Sequence, residues 1–274
     1  MPIGVMGPAE VAILETFVVP RFLTLFGDTA LRVVLSGDGA AIAHLGCRTG
    51  YPDRELVSDI DNCSLVGVDA SAAAVELARN KAATLPGGDI RYYAAAGYPT
   101  PLPEDSFSHA LSLYPIGTAG TRAELFAEMQ RVLYARGQAV VALPLRGSFR
   151  ELTDLLCEYC LKHDDAEMAL RLEAAAAACP NEEAMLYELE AQGFEEIEVG
   201  SVPAEMSFEN GRAFIEDPTT RLLILPEMMA SAGLETLGNG LTYVREAIDK
   251  YWAESEFTLT VNVGVASARK PDQQ

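Results

Sequence analysis

Between residues 40 and 143 the chain alternates short apolar runs with longer stretches of helical period, and few architectures accept that order. The runs 40–45, 64–68, 90–93, 109–113 and 138–143 have the length of strands, and 40–45, which ends in a glycine-bearing loop, has the apolar character of a buried parallel strand. Residues 72–85 and 121–134 read as the intervening helices, with Ser71 as the N-cap of the first. Strands separated by helices in this way run parallel, joined by right-handed crossovers that place helices on both faces of one sheet. The expected fold class is α/β, doubly wound.

The flanks complete the plan. Apolar residues recur at helical spacing from Ala9 to Ser36, with Pro20 and Gly27 as expected breaks, so two N-terminal helices are predicted. After Ser148 helices dominate at 149–163, 165–179 and 181–192. Two further strands, 195–199 and 257–265, bring the sheet to seven, and a largely helical insertion at about 208–255 separates them. The last strand alternates, with Leu259, Val261 and Val263 on one face and Thr258, Thr260 and Asn262 on the other, which suits an antiparallel strand. The expected organisation is a helical cap at 1–36, one domain at 37–270 with 208–255 as a lid, and a disordered tail at 271–274.

Charge excludes one class of function. The chain has 20 Lys and Arg against 40 Asp and Glu, a net charge of −20, and no cluster of cations that would draw a phosphate backbone, so no nucleic acid is expected as partner. Residues 151–200 hold fourteen acids against Lys162 and Arg171, which is either a solvated helical face or a docking surface for a partner with a basic surface. Five cysteines without a secretory signal suit a cytoplasmic location. No membrane span is expected, because Arg21, Asp28 and Arg32 interrupt the most apolar stretch. The oligomeric state leaves no mark in the sequence.

The loops after the first two strands narrow the reading. The first strand runs into His44-Leu45-Gly46-Cys47-Arg48-Thr49-Gly50, and the second into Gly67-Val68-Asp69-Ala70-Ser71. Further on come Leu102-Pro103-Glu104-Asp105-Ser106-Phe107 and Arg131-Val132-Leu133-Tyr134-Ala135-Arg136-Gly137. In this order and spacing the four segments resemble the class I S-adenosylmethionine (SAM) dependent methyltransferases, in particular their small-molecule, type 11 branch. The resemblance implies a Rossmann-like sheet, a glycine loop at Gly46 and Gly50 that approaches SAM, and Asp69 with Ala70 on the ribose. It also implies Ala95, Ala96 and Gly97 beside the adenine, and helices over a small-molecule substrate.

Departures accompany the resemblance. His44 stands where the family has an acid before its first glycine, and Arg48 where it has the middle glycine. Ala96 replaces the acid that meets the adenine amino group, and Ser108 ends what is usually Ser-Phe-Asp. Two functions remain open. In one, SAM binds with Arg48 swung aside or paired with the methionine carboxylate, and a methyl group passes to a small apolar molecule under the helical lid. In the other, the pocket is vestigial and the protein is a non-catalytic pseudo-methyltransferase that binds another protein through its acidic helices; a different ligand, with Arg48 recruiting an anion, is a third reading.

Other residues carry weaker signals. Tyr114 and Tyr51 follow strand or loop at the carboxyl edge of the sheet, where such folds place ligands. His44 is either a base beside the pocket or a structural histidine; His109 and His163 read as structural. The pair Cys157 and Cys160 lies inside a helix and reads as buried thiols rather than a redox or metal pair, so no metal site is expected. The Met-rich segment 222–229 is core, lid or substrate surface. No catalytic base is assigned, since methyl transfer depends largely on alignment of the reacting atoms.

Overall fold

The computed structural model describes residues 6–85, 89–115 and 121–272. Of the predicted tail, 273–274 lie outside them, as do residues 1–5 of the predicted cap. The chain opens with α1 (Pro8–Ile13), a π-helical segment (Leu14–Leu23) and α2 (Thr24–Leu31). The expected breaks at Pro20 and Gly27 do not occur, and helical structure runs from 8 to 31. Proline removes one N–H and its ring collides with the carbonyl four residues back, a conflict that the wider π turn relieves. Gly27 remains helical because the Tyr51 ring packs against it so closely that a Cβ there would collide.

There follow β1 (Ala41–Leu45), α3 (Asp53–Asp59), β2 (Ser64–Asp69), α4 (Ala72–Ala82), β3 (Asp89–Ala94), β4 (Phe107–Leu113), α5 (Arg122–Val132) and β5 (Leu133–Pro144). Ser71 caps α4 as expected, its Oγ accepting from Ala74 N at 3.2 Å. The rest comprises α6 (Arg150–Lys162), α7 (Ala166–Ala178), α8 (Glu182–Ala191), β6 (Glu195–Phe208), α9 (Gly211–Glu216), a second π-helical segment (Thr220–Ile224), α10 (Leu225–Ser231), α11 (Gly240–Tyr251) and β7 (Phe257–Arg269).

The seven strands form one sheet in the order β3-β2-β1-β4-β5-β7-β6. Strand β1 pairs in parallel with β2 and β4, β2 with β3, and β4 with β5. Strand β7 is antiparallel to β5: Arg136 N donates to Lys270 O and Lys270 N to Gly137 O, while further along β5 Leu145 N meets the earlier Asn262 O. The doubly wound, mostly parallel sheet with an antiparallel last strand is therefore as expected.

Strand ends differ from expectation. β5 begins at Leu133 rather than 138, because Leu133 already pairs with Phe107 before a bulge. β6 continues to Phe208, nine residues beyond the expected end at 199; lying at the sheet edge, it is mostly exposed and lacks the apolar signal that marks a buried strand.

The chain divides into two compact units, one of residues 1–143, 182–200 and 264–274, the other of 144–181 and 201–263. The core of the first includes Phe22, Phe26 and Tyr114, whose rings meet edge to face with centroids 5.0–5.3 Å apart. The second is built around Phe214 and Phe257, 5.2 Å apart, with Phe208 and Trp252 against them.

Candidate functional site

The carboxyl ends of β1, β2 and β4 come together in the first unit, with the loop 46–50 running over them. Gly46 and Gly50 have positive φ, as a loop approaching the strand ends requires, and so does Arg48 at +47°. A non-glycine residue there costs on the order of 1–2 kcal/mol. The cost is offset by bonds that only this side chain makes. Arg48 Nη1 donates to Leu113 O at 2.8 Å and Nη2 to Tyr114 O at 2.5 Å, so the guanidinium clamps two carbonyls at the end of β4.

Asp69, at the tip of β2, accepts from Arg48 N at 2.9 Å on one oxygen and from Ser71 N at 2.8 Å on the other. It is 3% exposed and Arg48 7%, so charge of both signs is enclosed here and mutually compensated. Tyr114 is turned into the core at 0% exposure, against Phe22 and Phe26, with the Arg48 guanidinium 5.9 Å from its ring centre. Its side chain is packing rather than a ligand contact; its carbonyl is the polar group at the strand end. Tyr51 donates to Asp28 Oδ1 at 3.2 Å, and burial pushes its phenol up from the ordinary tyrosine value.

A second network lies under the loop. His44 Nδ1 and Asp53 Oδ1 are 2.6 Å apart, and Tyr92 donates to Asp53 Oδ2 at 2.8 Å. All three are buried. Gly67 is glycine because the Tyr92 ring crosses β2 at that point and any Cβ would strike it. Burial, with the Asp53 charge beside it, drives the Tyr92 phenol far up, so its proton stays in the hydrogen bond. Burial does the same for the neighbouring Cys47 thiol, which rules it out as a thiolate nucleophile at neutral pH. Neither Asp53 nor Tyr92 stood out in the sequence; the only signal was an acid at the first turn of a helix just after the glycine loop.

Thr49 Oγ1 is buried with no hydrogen-bond partner among the described residues. It borders a cavity of about 10 Å³, closed by Leu23, His44, Cys47, Arg48 and Leu113, which has the volume of a single water-sized probe. Beside Asp69, Ala94 and Ala96 are exposed and Ala95 and Gly97 half-buried, with Ala95 N donating to Asp69 O at 2.9 Å. Ser108 has a structural duty: its hydroxyl meets both Ala41 N and Ala41 O at 2.9 Å, locking β1 to β4.

The two ends of SAM fare differently against these residues. A carboxylate offers about four lone-pair sites, so Asp69 retains acceptor capacity for a nucleoside. The methionine end carries a sulfonium, an ammonium and a carboxylate, a net charge of +1, and the cation on the β4 carbonyls is already Arg48. A second unit charge about 4 Å from it costs about 4 kcal/mol at an effective dielectric near 20. Arg48 thus opposes the net positive charge of SAM at this edge while being able to attract its carboxylate.

The second unit holds a cavity of about 380 Å³ in the size range of small-molecule sites. Pro144, Phe149, Leu172, Ile224 and Met228 give it apolar walls, and Arg146, Asp154 and Glu227 line it among polar groups. The walls are fixed. Arg146 Nη2 donates to Ala177 O at 2.8 Å, closing the end of α7, and Asn262 Nδ2 donates to Arg146 O at 2.9 Å. Glu151 accepts from Thr260 N at 3.0 Å and Thr260 Oγ1 at 2.6 Å, anchoring the start of α6. Of the Met-rich segment, Met228 reaches this cavity. No local pattern announces it, because its lining comes from three separated stretches of chain.

Cys160 is buried and Cys157 half-buried on α6, both as free thiols raised by burial. Among the described residues no three His, Cys, Asp or Glu side chains are grouped to hold a metal, and no helix is long and apolar enough to cross a membrane.

The methyltransferase-domain family matches residues 42–137, from β1 into β5. No curated protein sequence matches the chain. Among solved structures, a candidate methyltransferase of Bacillus halodurans C-125 aligns with a TM-score of 0.59 and 13% identity over 89% of this chain and 98% of that one. The [4+2]-cyclase SpnF gives 0.55 and 18% over 92% and 81%. A Haemonchus contortus phosphoethanolamine N-methyltransferase in complex with SAM gives 0.53 and 16% over 98% and 61%. At such identities the likeness concerns the fold. Residues 42–137 match the methyltransferase-domain family, and the chain has the fold that these methyltransferase structures share.

Proposed function

We propose that this methyltransferase-like protein holds a small, largely apolar molecule in the cavity of its second unit. The cavity itself carries the reading: about 380 Å³, apolar walls, a few polar groups, and a frame of side-chain hydrogen bonds that forms it in advance. The helices α6, α7 and α10 that line it exclude water from the ligand, and Met228 adapts to its shape. That a [4+2]-cyclase shares the fold supports a small-molecule role without prescribing methyl transfer. Nile red, an uncharged apolar dye, should brighten on binding the wild-type protein, and Ala176→Trp, which fills the cavity from α7, should abolish the effect. A dye response that is absent in the wild type, or unchanged in a folded Ala176→Trp, sinks the reading.

A second reading has its own observation. Residues 182–200 carry seven acids and no Lys or Arg, and all but Glu188 are exposed. Glu188 pairs with Arg122 and Glu196 with Arg136. This supports docking of a partner with a basic surface. Such binding would weaken steeply with salt and be lost on reversing Glu182, Glu183 and Glu190 to lysine, and capture insensitive to both would refute it.

A further inference from the structure

The glycine-loop site holds a cation of its own. Arg48 is anchored through Nη1 and Nη2 to the Leu113 and Tyr114 carbonyls at the end of β4, and its main-chain N–H binds Asp69. The carbonyls face the carboxyl edge of a parallel sheet, where open α/β folds receive ligands, and they form an acceptor pair suited to a positive group. Asp69 adds a full negative charge close by. A site with this potential would draw the ammonium and sulfonium of SAM if it were empty. Arg48 satisfies it from within the chain, and does so despite a backbone conformation that disfavours any side chain.

We propose that Arg48 is a resident cation standing in for the charged end of SAM, so that this site takes adenosine-type ligands with no net positive charge on the 5′ substituent and disfavours SAM itself. Asp69 and the open stretch Ala94–Gly97 serve the nucleoside; Arg48 sets the charge selectivity. The inference is independent of the cavity in the second unit, and each can fail alone.

Calorimetric titration of the full chain with SAM, S-adenosylhomocysteine and 5′-methylthioadenosine tests it, since the three share a nucleoside while the 5′ substituent is uncharged in methylthioadenosine, zwitterionic in S-adenosylhomocysteine and net cationic in SAM. For the wild type the expected order of affinity is methylthioadenosine, then S-adenosylhomocysteine, then SAM, with at least about a tenfold span from first to last, the scale of one hydrogen bond to a charged group. Arg48→Gly restores a residue at ease with positive φ and should raise SAM affinity at least tenfold while leaving methylthioadenosine within about threefold. Arg48→Gln keeps amide donors near the two carbonyls, removes only the charge, and should shift the SAM to methylthioadenosine ratio in the same direction, so a poorly folded glycine variant does not remove the test. Wild-type protein that binds SAM as tightly as methylthioadenosine overturns the proposal. So does a ratio unchanged in both folded variants, or no binding of any of the three by any of the proteins.

Discussion

The glycine-loop site and the cavity of the second unit solve the problem of a concave surface in opposite ways. The first is filled by its own polar side chains: Arg48 on two carbonyls, Asp69 on two main-chain N–H groups, and Asp53 between His44 and Tyr92. The second stays open because its lining is mostly apolar and its hydrogen bonds run in the supporting frame. A buried polar group left without a partner costs about 1–3 kcal/mol, whereas an apolar wall facing a cavity forgoes only dispersion contacts. Filling is therefore enforced in one place and optional in the other. Mutations in the buried network of Asp53 should act on stability, and those that fill the cavity on binding.

Asp53→Ala gives the largest expected effect. It strands His44 and Tyr92, both buried, and should destabilise by about 2–6 kcal/mol in urea unfolding at pH 7, whereas Tyr92→Phe, which removes only one bond, should cost about 1–2 kcal/mol. Similar losses from the two would show that the network is not the unit described.

Glu128 extends the same principle away from the loop. It is 3% exposed and accepts from Thr100 N, Thr100 Oγ1 and Arg131. Burial opposes its charge, but the Arg131 and Thr100 hydrogen bonds prevail and hold its carboxyl below the usual glutamate value. A carboxylate with a depressed folded pKa contributes stability that is present above its unfolded value of about 4.3 and lost as pH falls through the folded value. Glu128→Gln should therefore cost about 1.5–3 kcal/mol at pH 7 and progressively less in acid; a penalty independent of pH would contradict the assignment.

Ala176→Trp probes the open region. Dye binding should fall more than tenfold with stability within about 1 kcal/mol of wild type, since no hydrogen bond is broken. A large loss of stability instead would mean that the cavity is part of the fold's support.

The smallest effect belongs to His109. Burial lowers its pKa, and it bridges Ser108 Oγ at 2.7 Å and Leu35 O at 2.9 Å. A histidine held neutral in the fold binds fewer protons than in the unfolded chain, so stability falls as pH drops below about 6.5 through the folded pKa. Urea midpoints from pH 8 to 5 should show this slope in the wild type and a shallower one in His109→Gln.

What was legible in the sequence follows the range of the forces involved. Five parallel strands, the Ser71 cap and the antiparallel last strand could be read because periodicity and capping are local and many residues share each signal. Pro20 and Gly27 misled as helix breaks, because one is absorbed by a π segment and the other by the Tyr51 ring, neither visible in a neighbouring residue. The far half of β6 was missed because an exposed edge strand has no apolar face to announce it.

At the candidate site the division is sharper. The sequence by itself determined the α/β sheet, the loop 46–50 at its carboxyl edge, and the abnormality of His44 and Arg48. Only the tertiary structure decided that Arg48 turns inward to the carbonyls of residues 65 and 66 positions away, that Asp53 pairs with His44, and that three separated stretches enclose a cavity. Patterns report which face of an element is buried; the partner a buried charge finds depends on which strand ends the crossovers bring together, and that is settled only when the whole sheet has formed.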